Sequence, residues 1–473
     1  KLKKSDLTLL LDDFFGYSKH MKIIKQIARE LGVAGKHVEL DRKQNIECVE
    51  YIKARYHVKR IGLDGRMIVY NGQYYEMKSK EFIKRQIRML MPDSKTDNTN
   101  EIFNYIQDSC EMILQREIEN DLHKKCLLNG TYDIISGKFT PSFSPENIIL
   151  NQIPHNFDES KSHDNLYKVI KGMIPRQADL EKLEDFLSCC LHPTNGIQQM
   201  FGIIGPPGTG KTQIANLTKL LFGIDNVSQA TLHNLTSDAT TRVDTSSGFV
   251  NIDADVSDED IKSVSTLKKI VTRDPMTDRA IYEHNDKFIY NPKIMFMSNG
   301  LFEMAKESDA EAIYDRSTLI KMDQRFRKQA NEVKNIIEMT AKEDELESLV
   351  TYLLKNAHKI YNEKNIRHVM SVNEVQELWN EFGNYLRRFV KEWFVVTNNA
   401  SDKVERTDVL NKWLWYASEN KITSKGRNTF YQQFNEIVNQ EPIQSRDGEE
   451  RGRYYVGMKM LDISDKSLKS KLD

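Results

Sequence analysis

Gly205-Pro-Pro-Gly-Thr-Gly-Lys-Thr212 is the stretch on which the reading of this chain turns. It fits the pattern GxxxxGK[ST], in which glycines let the backbone turn tightly and aim N–H groups at phosphate oxygens. Just upstream, Met200-Phe-Gly-Ile-Ile204 is a short apolar run suited to a buried parallel strand. Just downstream, Gln213–Phe222 carries apolar residues at helical spacing. Strand, glycine loop and helix in that order are the context the motif needs, because a helix N-terminus adds positive potential where phosphates would sit. Gly205, Pro206, Pro207, Gly208, Thr209 and Gly210 would form the cradle. Lys211 would reach the β- and γ-phosphates, and the Thr212 hydroxyl would take a place on Mg²⁺. ATP and Mg²⁺ are the expected cofactors, and an α/β fold is the expected class.

The 473 residues exceed what one hydrophobic core ordinarily holds, so about three domains are expected. Charged residues make up 29% of the chain, yet the formal net charge is −1, so any basic surface must be local. Cys48, Cys110, Cys126, Cys189 and Cys190 form no CxxC or Cys/His cluster. That argues against a zinc ribbon and a disulfide scaffold, and for a reduced, intracellular (cytoplasmic) setting. No apolar run approaches the roughly 20 residues that span a bilayer, so no membrane partner is expected. The chain begins with Lys rather than Met, and residues upstream of it are expected.

Past the loop, Gly248-Phe-Val-Asn-Ile-Asp-Ala-Asp255 reads as an apolar strand ending in acids, expected to lie beside the strand that feeds the loop. One carboxylate there would hold Mg²⁺ and another would orient the attacking water. Asp253 and Asp255 are the two candidates, alternation puts them on one face, and the residues alone do not separate their roles. Arg279–Tyr290 reads as a hairpin with its tip at Glu283–Lys287, where His284 and Lys287 would touch a phosphate backbone and Tyr282 would stack on a base. Pro292–Asn299 is another buried strand, and the Asn299 amide at its end would sense the γ-phosphate or the attacking water. Arg316, before the strand Ser317–Ile320, would reach a neighbouring subunit's γ-phosphate; a surface ion pair with Asp315 or Asp309 is the plainer alternative.

Elsewhere, Asn71-Gly72 between Met67–Tyr70 and Tyr74-Tyr75 predicts a hairpin. A helix is expected over Glu81–Met91, then a polar linker over Pro92–Asn100. Lys78, Lys80, Lys84, Arg85 and Arg88 favour a solvated helix face over a nucleic-acid contact. Trp379, Phe382, Tyr385, Leu386, Phe389 and Trp393 recur at helical steps over Val372–Val396 and read as core. Helices over Val409–Asn420 and Thr429–Asn439, then a basic hairpin around Asp447-Gly448, suggest a winged helix. Lys425, Arg427, Arg446, Arg451 and Arg453 are its candidate DNA contacts. The expected domains are a mixed α/β accessory domain (1–98), a mostly helical domain (99–195), the ATPase core (196–330), a helical region packed on it (331–400) and the winged helix (401–473).

Residues 127–158, LLNGTYDIISGKFTPSFSPENIILNQIPHNFD, resemble the domain preceding the ATPase in phage, plasmid and poxvirus-type primase-helicases. The ordered set of glycine loop, acid-ended strand, Lys/Asp segment with hairpin, and Asn-ended strand resembles the superfamily 3 helicases, a branch of the AAA+ ATPases. RGRYYVG near the C-terminus resembles the last domain of the same helicases. The resemblance implies an AAA+ P-loop core with a helical N-terminal region and a C-terminal winged helix. It implies Lys211 and Thr212 on nucleotide and Mg²⁺, Asp253 and Asp255 on metal and water with Asp255 as the terminal carboxylate, Asn299 as sensor and Arg316 as finger. It further implies a ring, a hexamer, whose His284/Lys287 hairpin grips single-stranded DNA and translocates 3′ to 5′. Thr209, Thr272-Arg273, Phe302 and Ser317 depart from the family pattern.

The expected function is therefore an ATP-dependent DNA helicase replicating a phage, plasmid or mobile element. Its partners would be single-stranded and forked DNA, further copies of itself, and an initiator or primase. The alternative is a DNA-binding ATPase that acts at an origin as initiator or loader without processive unwinding. A primase activity has no support in the first hundred residues, which offer neither a zinc-ligand cluster nor a paired-carboxylate site.

Overall fold

The computed structural model describes residues 37–62, 66–77, 80–191, 196–254, 256, 261, 263–278, 286–299, 307–326, 332–383, 385–397, 399–419, 426–447 and 450–461. The chain forms two compact units, one running to Phe157 and including Ile281–Phe288, the other running from Asp158 without that stretch.

In the first unit the expected hairpin forms, with Arg66–Tyr70 antiparallel to Tyr75–Met77. The Asn71 side chain closes the turn by accepting from the Gln73 and Tyr74 amides, and Gly72 takes φ +107°, a backbone region that L side chains avoid. Lys59–Ile61 and Glu111–Ile113 complete a four-stranded sheet. Helices His37–Tyr56, Lys80–Leu90 and Thr96–Ser109 bury Val49, Ile52, Ile83, Ile87, Ile102 and Ile106 in one cluster. That cluster overturns two expectations. Pro92–Asn100 is not a linker, since a helix starts at Thr96, and the 98/99 boundary falls inside a single core. Polar residues such as Asn98 and Asn100 misled the reading; Thr99, the buried one among them, returns its hydroxyl to Lys95 O. Nor are residues 99–195 mostly helical, because Lys124–Leu127, Gly130–Asp133 and Lys138–Thr140 form a three-stranded antiparallel sheet. On the basic helix, Lys80 and Lys84 sit 4.9 and 5.8 Å from the Phe103 ring, while Arg85 and Arg88 are exposed.

The second unit is mixed α/β around a parallel sheet. Its strands are β1 (Met200–Ile204), β2 (Val227–Ser228), β3 (Val250–Asp253), β4 (Lys293–Ser298) and β5 (Ser317–Lys321), in the order β5-β1-β4-β3-β2. All four pairings are parallel. Every residue of β1, β3 and β4 is buried, which is why each reads as a continuous run rather than an alternation. Lys293 is the exception in chemistry; its ammonium donates to Ile197 O at 2.8 Å and burial pushes its pKa down. The acid-ended strand β3 does not lie beside β1 as expected, because β4 is inserted between them. Apolar runs mark β3 and β4 as buried but do not rank their positions across a sheet.

Helices surround this sheet: α1 (Asp164–Met173), α2 (Gln177–Cys190), α3 (Lys211–Phe222) and α4 (Glu343–Glu363). The stretch expected to be one helix over 372–396 is two, Val372–Gly383 and α5 (Tyr385–Trp393), followed by the strand Phe394–Val396. Leu386, Phe389 and Trp393 of α5 are buried with residues of α6 (Arg406–Glu419), α7 (Arg427–Val438) and the hairpin Ile443–Asp447/Glu450–Val456. The aromatic stripe is core, as expected for the described members, and the boundary at 400/401 is therefore displaced to the start of α5. All five cysteines are buried thiols. Burial pushes Cys48 and Cys189 up to about 12, which leaves them unreactive. Among the described residues no helix is long and apolar enough to cross a membrane.

Charged groups lock α2 to α4 and the segment behind it. The Arg367 amide and guanidinium both bond Asp185, each at 2.6 Å, and the guanidinium reaches Glu184 at 3.0 Å. Tyr352 and Asn356 of α4 add bonds to Glu184 and Asp185. Arg367→Met would leave the Asp185 carboxylate, 1% exposed, without its cationic partner, though still bonded by the residue 367 amide and Asn356. The expected loss is about 3 kcal/mol, the low end for a broken buried pair, read as a lower urea midpoint with an unchanged slope.

Candidate nucleotide site

The site forms where β1 and β4 end together. Their register pairs Ile204 with Ser298, so Gly205 and Asn299 leave the sheet side by side. The Gly205 amide still donates to Ser298 O at 3.3 Å. Gly205 lies so close to the chain after β5 that a Cβ would fall 1.8 Å from Met322 O. Phe326 N donates to Gly208 O at 2.8 Å, so the segment after β5 braces the loop from outside. Gly210 caps α3 with φ +97°, a conformation that favours glycine, and a Cβ there would meet Met173 Sδ at 2.8 Å. Thr209 is buried and donates its hydroxyl to Pro206 O at 3.1 Å, so it closes the loop from within.

Lys211 opens α3 and turns its ammonium back across the loop. Its Nζ donates to Gly205 O at 2.6 Å, to Pro206 O at 3.0 Å and to Asn299 Oδ1 at 2.9 Å. Thr212 is exposed beside it. Loop, Lys211, Thr212, Ser298 and Asn299 line a cavity of about 720 Å³, within the range of a small-molecule site. The same cavity is lined by Val169 and Met173 of α1, Phe326, Val333 and Ile336, with Glu419 from the end of α6.

A polyphosphate fits these residues. Two glycines admit no side chain, α3 points its N-terminus at the loop, and Lys211 supplies a positive charge over neutral acceptors. Mg²⁺ held with a nucleotide takes few protein ligands, and the Thr212 hydroxyl is available for it. Among the described residues no three His, Cys, Asp or Glu side chains gather as a metal cage.

Asp253 is not at this site. It is 4% exposed, its Oδ2 accepts from the Leu232 amide at 2.7 Å, and Ala254 lines the cavity in its stead. The expectation of a metal ligand failed because alternation aims a side chain off the strand, and at Asp253 that direction meets the start of helix Leu232–Ser237. Asp255, Tyr282, His284 and Lys425 lie outside the described residues. Lys287 is on the strand Asp286–Phe288 rather than at a hairpin tip. Arg316 stands at the far end of the sheet, where its carbonyl accepts from Met200 N at 2.8 Å and Ser317 pairs with Met200. In this chain its guanidinium bonds Asp315 and Ala312 O, each at 3.1 Å, the plainer of the two expected arrangements. Arg427 and Arg453 are exposed, and the register sets Arg446 across from Arg451.

Residues 19–192 match the family model "D5 N terminal like". Residues 203–317, which hold the loop, β3, β4 and Asn299, match a family of unknown function (DUF5906). No curated protein matches the chain. Among solved structures, "The apo structure of NrS-1 C terminal region (305-718)" is 11% identical, covering 88% of this chain and 99% of that one with a TM-score of 0.43. "The A form apo structure of NrS-1 C terminal region-CTR(305-718)" is likewise 11% identical over 88% and 99%, with a TM-score of 0.45.

The α1 residues and Glu419 were missed in the sequence because nothing local marks a residue that reaches a cavity from a distant element. Gly205→Ala would force β5's continuation away from the loop. The expected destabilisation is about 2 kcal/mol, seen as a lower melting temperature, whereas Gly172→Ala, in helix α1 with open space around its Cα, leaves the melting temperature the same or slightly raised.

Proposed function

We propose that this chain is an ATP-dependent DNA helicase of the superfamily 3 type, its second unit an AAA+ ATPase core, acting in replication of a phage, plasmid or mobile element. The observation that carries the reading is the bond from Lys211 Nζ to Asn299 Oδ1 across the ends of two neighbouring parallel strands. Crevices beyond the carboxyl ends of parallel strands are where α/β sheets bind ligands. A glycine loop, a lysine and a sensing amide meet there at the mouth of a cavity large enough for a nucleotide. The two matched family models, typical of phage and viral primase-helicase proteins, support a replication context.

Lys211 would exchange the carbonyls of Gly205 and Pro206 for β- and γ-phosphate oxygens. Asn299, released from Lys211, would turn its amide to the γ-phosphate or to the attacking water. Thr212 would share the Mg²⁺ that ATP brings, and that ion would neutralise charge developing on the phosphates. With Asp253 held by Leu232, Asp255 is the acid we assign to the water. The apolar side chains of Val169, Val333 and Ile336 that line the cavity would suit a base. Arg316 would act on the nucleotide of the next subunit in a ring, a hexamer by resemblance. His284 and Lys287 would grip single-stranded DNA, with 3′-to-5′ movement implied by the same resemblance.

One observation favours the alternative of an origin initiator or loader. Helices α6 and α7 are followed by the antiparallel pair carrying Arg446 and Arg451, an order that would suit a winged helix, and exposed Arg427 and Arg453 would suit phosphates of a duplex. A forked-duplex assay separates the two. A helicase displaces a long strand with ATP, whereas an initiator binds or melts its origin and leaves the fork annealed. Lys211→Ala is expected to bring ATP hydrolysis to background, and Lys287→Ala to abolish strand displacement and stimulation by DNA. Normal unwinding by both variants would refute the helicase assignment.

A further inference from the structure

Arg388 ties the C-terminal layer to the candidate nucleotide site. It lies on α5 at 6% exposure, within the group of α5, α6, α7 and the hairpin rather than among the helices flanking the sheet. Its Nη1 donates to the main-chain oxygen of Asn299. Its Nε donates to the Tyr416 hydroxyl of α6 at 2.9 Å and stands 3.8 Å from Glu392 of α5. The guanidinium carbon is 5.4 Å from the centre of the Tyr385 ring. A buried guanidinium is costly where it makes no bonds, so the Nη1 and Nε bonds tie α5 and α6 to the end of β4.

Position along the strand gives the contact its meaning. β4 ends at Ser298, so the Asn299 carbonyl lies past the last rung of the sheet. Its orientation is set by what bonds it, and Arg388 does so. A bond to that carbonyl anchors the main chain at Asn299, and a shift of the main chain there would carry the side-chain amide relative to Lys211 Nζ, which lies 2.9 Å from its Oδ1. Three residues beyond Tyr416, Glu419 lines the same cavity, so α6 meets the site at a second point.

We propose that Arg388 is a positioning residue for hydrolysis: through the main chain of Asn299 it sets the sensing amide, and it makes that setting depend on the C-terminal layer. The proposal rests on the ATPase reading above. Arg388 touches neither nucleotide nor water; it acts through Asn299. Misplacing a positioning group by about 1 Å can cost about a hundredfold in rate while binding survives. A tilt of α5 and α6 when the C-terminal layer engages DNA would therefore reach the γ-phosphate end of the site without moving the glycine loop.

The test uses the full chain and measures melting temperature, affinity for a fluorescent ATP analogue, and kcat and KM for ATP with and without DNA. Arg388→Met is expected to bind the analogue within about twofold of the unmodified protein, to lose about tenfold or more in kcat, and to lose DNA stimulation. Arg388→Lys recovers part of kcat, because an ammonium can still donate to the Asn299 carbonyl. Tyr416→Phe, which frees the guanidinium to turn, lowers kcat in the same direction by less. Asn299→Ala combined with Arg388→Met is no slower than Asn299→Ala alone, since both act through one amide. A wild-type kcat in Arg388→Met, or losses that multiply in the double variant, overturns the proposal. If Arg388→Met does not fold, Tyr416→Phe decides, and a wild-type kcat with normal DNA stimulation overturns it. Lys211→Ala separates the two readings. If it still hydrolyses ATP, the nucleotide assignment fails; if it is inactive while Arg388→Met is normal, only the positioning role fails.

Discussion

The second unit depends on a register. Ile204 of β1 pairs with Ser298 of β4, and the next residues of both strands, Gly205 and Asn299, are thereby delivered to one point. A slip of one residue would turn Asn299 to the other face and remove it from Lys211. Both strands are buried at every position, so a slip would also carry Phe201, Phe296 and Met297 out of their packing. The sheet's core thus fixes a polar contact that is itself worth little. An amide-to-ammonium bond of 2.9 Å contributes about 1–3 kcal/mol at most. What makes it consequential is its place, at the open ends of parallel strands, where main-chain N–H groups and a helix N-terminus already favour an anion.

Glycine does the rest of the shaping. At Gly205 the constraint is proximity, with the carbonyl of Met322 occupying the space a side chain would need; at Gly210 it is the backbone angle. The two act on opposite ends of the loop. One lets the chain after β5 press against it, and the other starts α3 at the angle that aims its first amides inward. Met173 of α1, which packs where a side chain at Gly210 would stand, also lines the cavity.

The glycine loop, the strand before it, the helix after it, and Asn299 at a strand end were all legible in the sequence. Each of these is local: a spacing, a run, a period. What was not legible is whatever depends on neighbours. Val250–Asp253 reads as a buried strand from its composition, but no local pattern says that β4 lies between it and β1. Asp253 looks like a metal ligand until Leu232 N is found against it. Pro92–Asn100 has a linker's composition, yet Thr96 begins a helix whose Ile102 and Ile106 complete a core begun at Cys48. Arg388 gave no signal at all. In sequence it is one arginine beside another on an amphipathic helix, and its bond to Asn299 exists only in the folded chain.

Lys211 and Arg316 stand at opposite ends of the same pair of strands. β5 begins at Ser317 beside Met200, the first residue of β1, and the loop begins after Ile204, the last. At about 3.3 Å per residue the five residues of β1 separate the two by roughly 16 Å. No side chain crosses that distance through a packed sheet, so Arg316 cannot serve the nucleotide of its own chain. If it serves one, the nucleotide belongs to another copy, approached head to tail. A head-to-tail contact is heterologous, each copy offering one face and receiving the other, and repeated by rotation it closes into a ring or runs on as a filament. The ion pair between Arg316 and Asp315, 61% exposed on the acidic side, is then a resting arrangement. A surface pair of that kind contributes at most about 1 kcal/mol and would yield readily to a phosphate, for which a guanidinium offers two parallel donors.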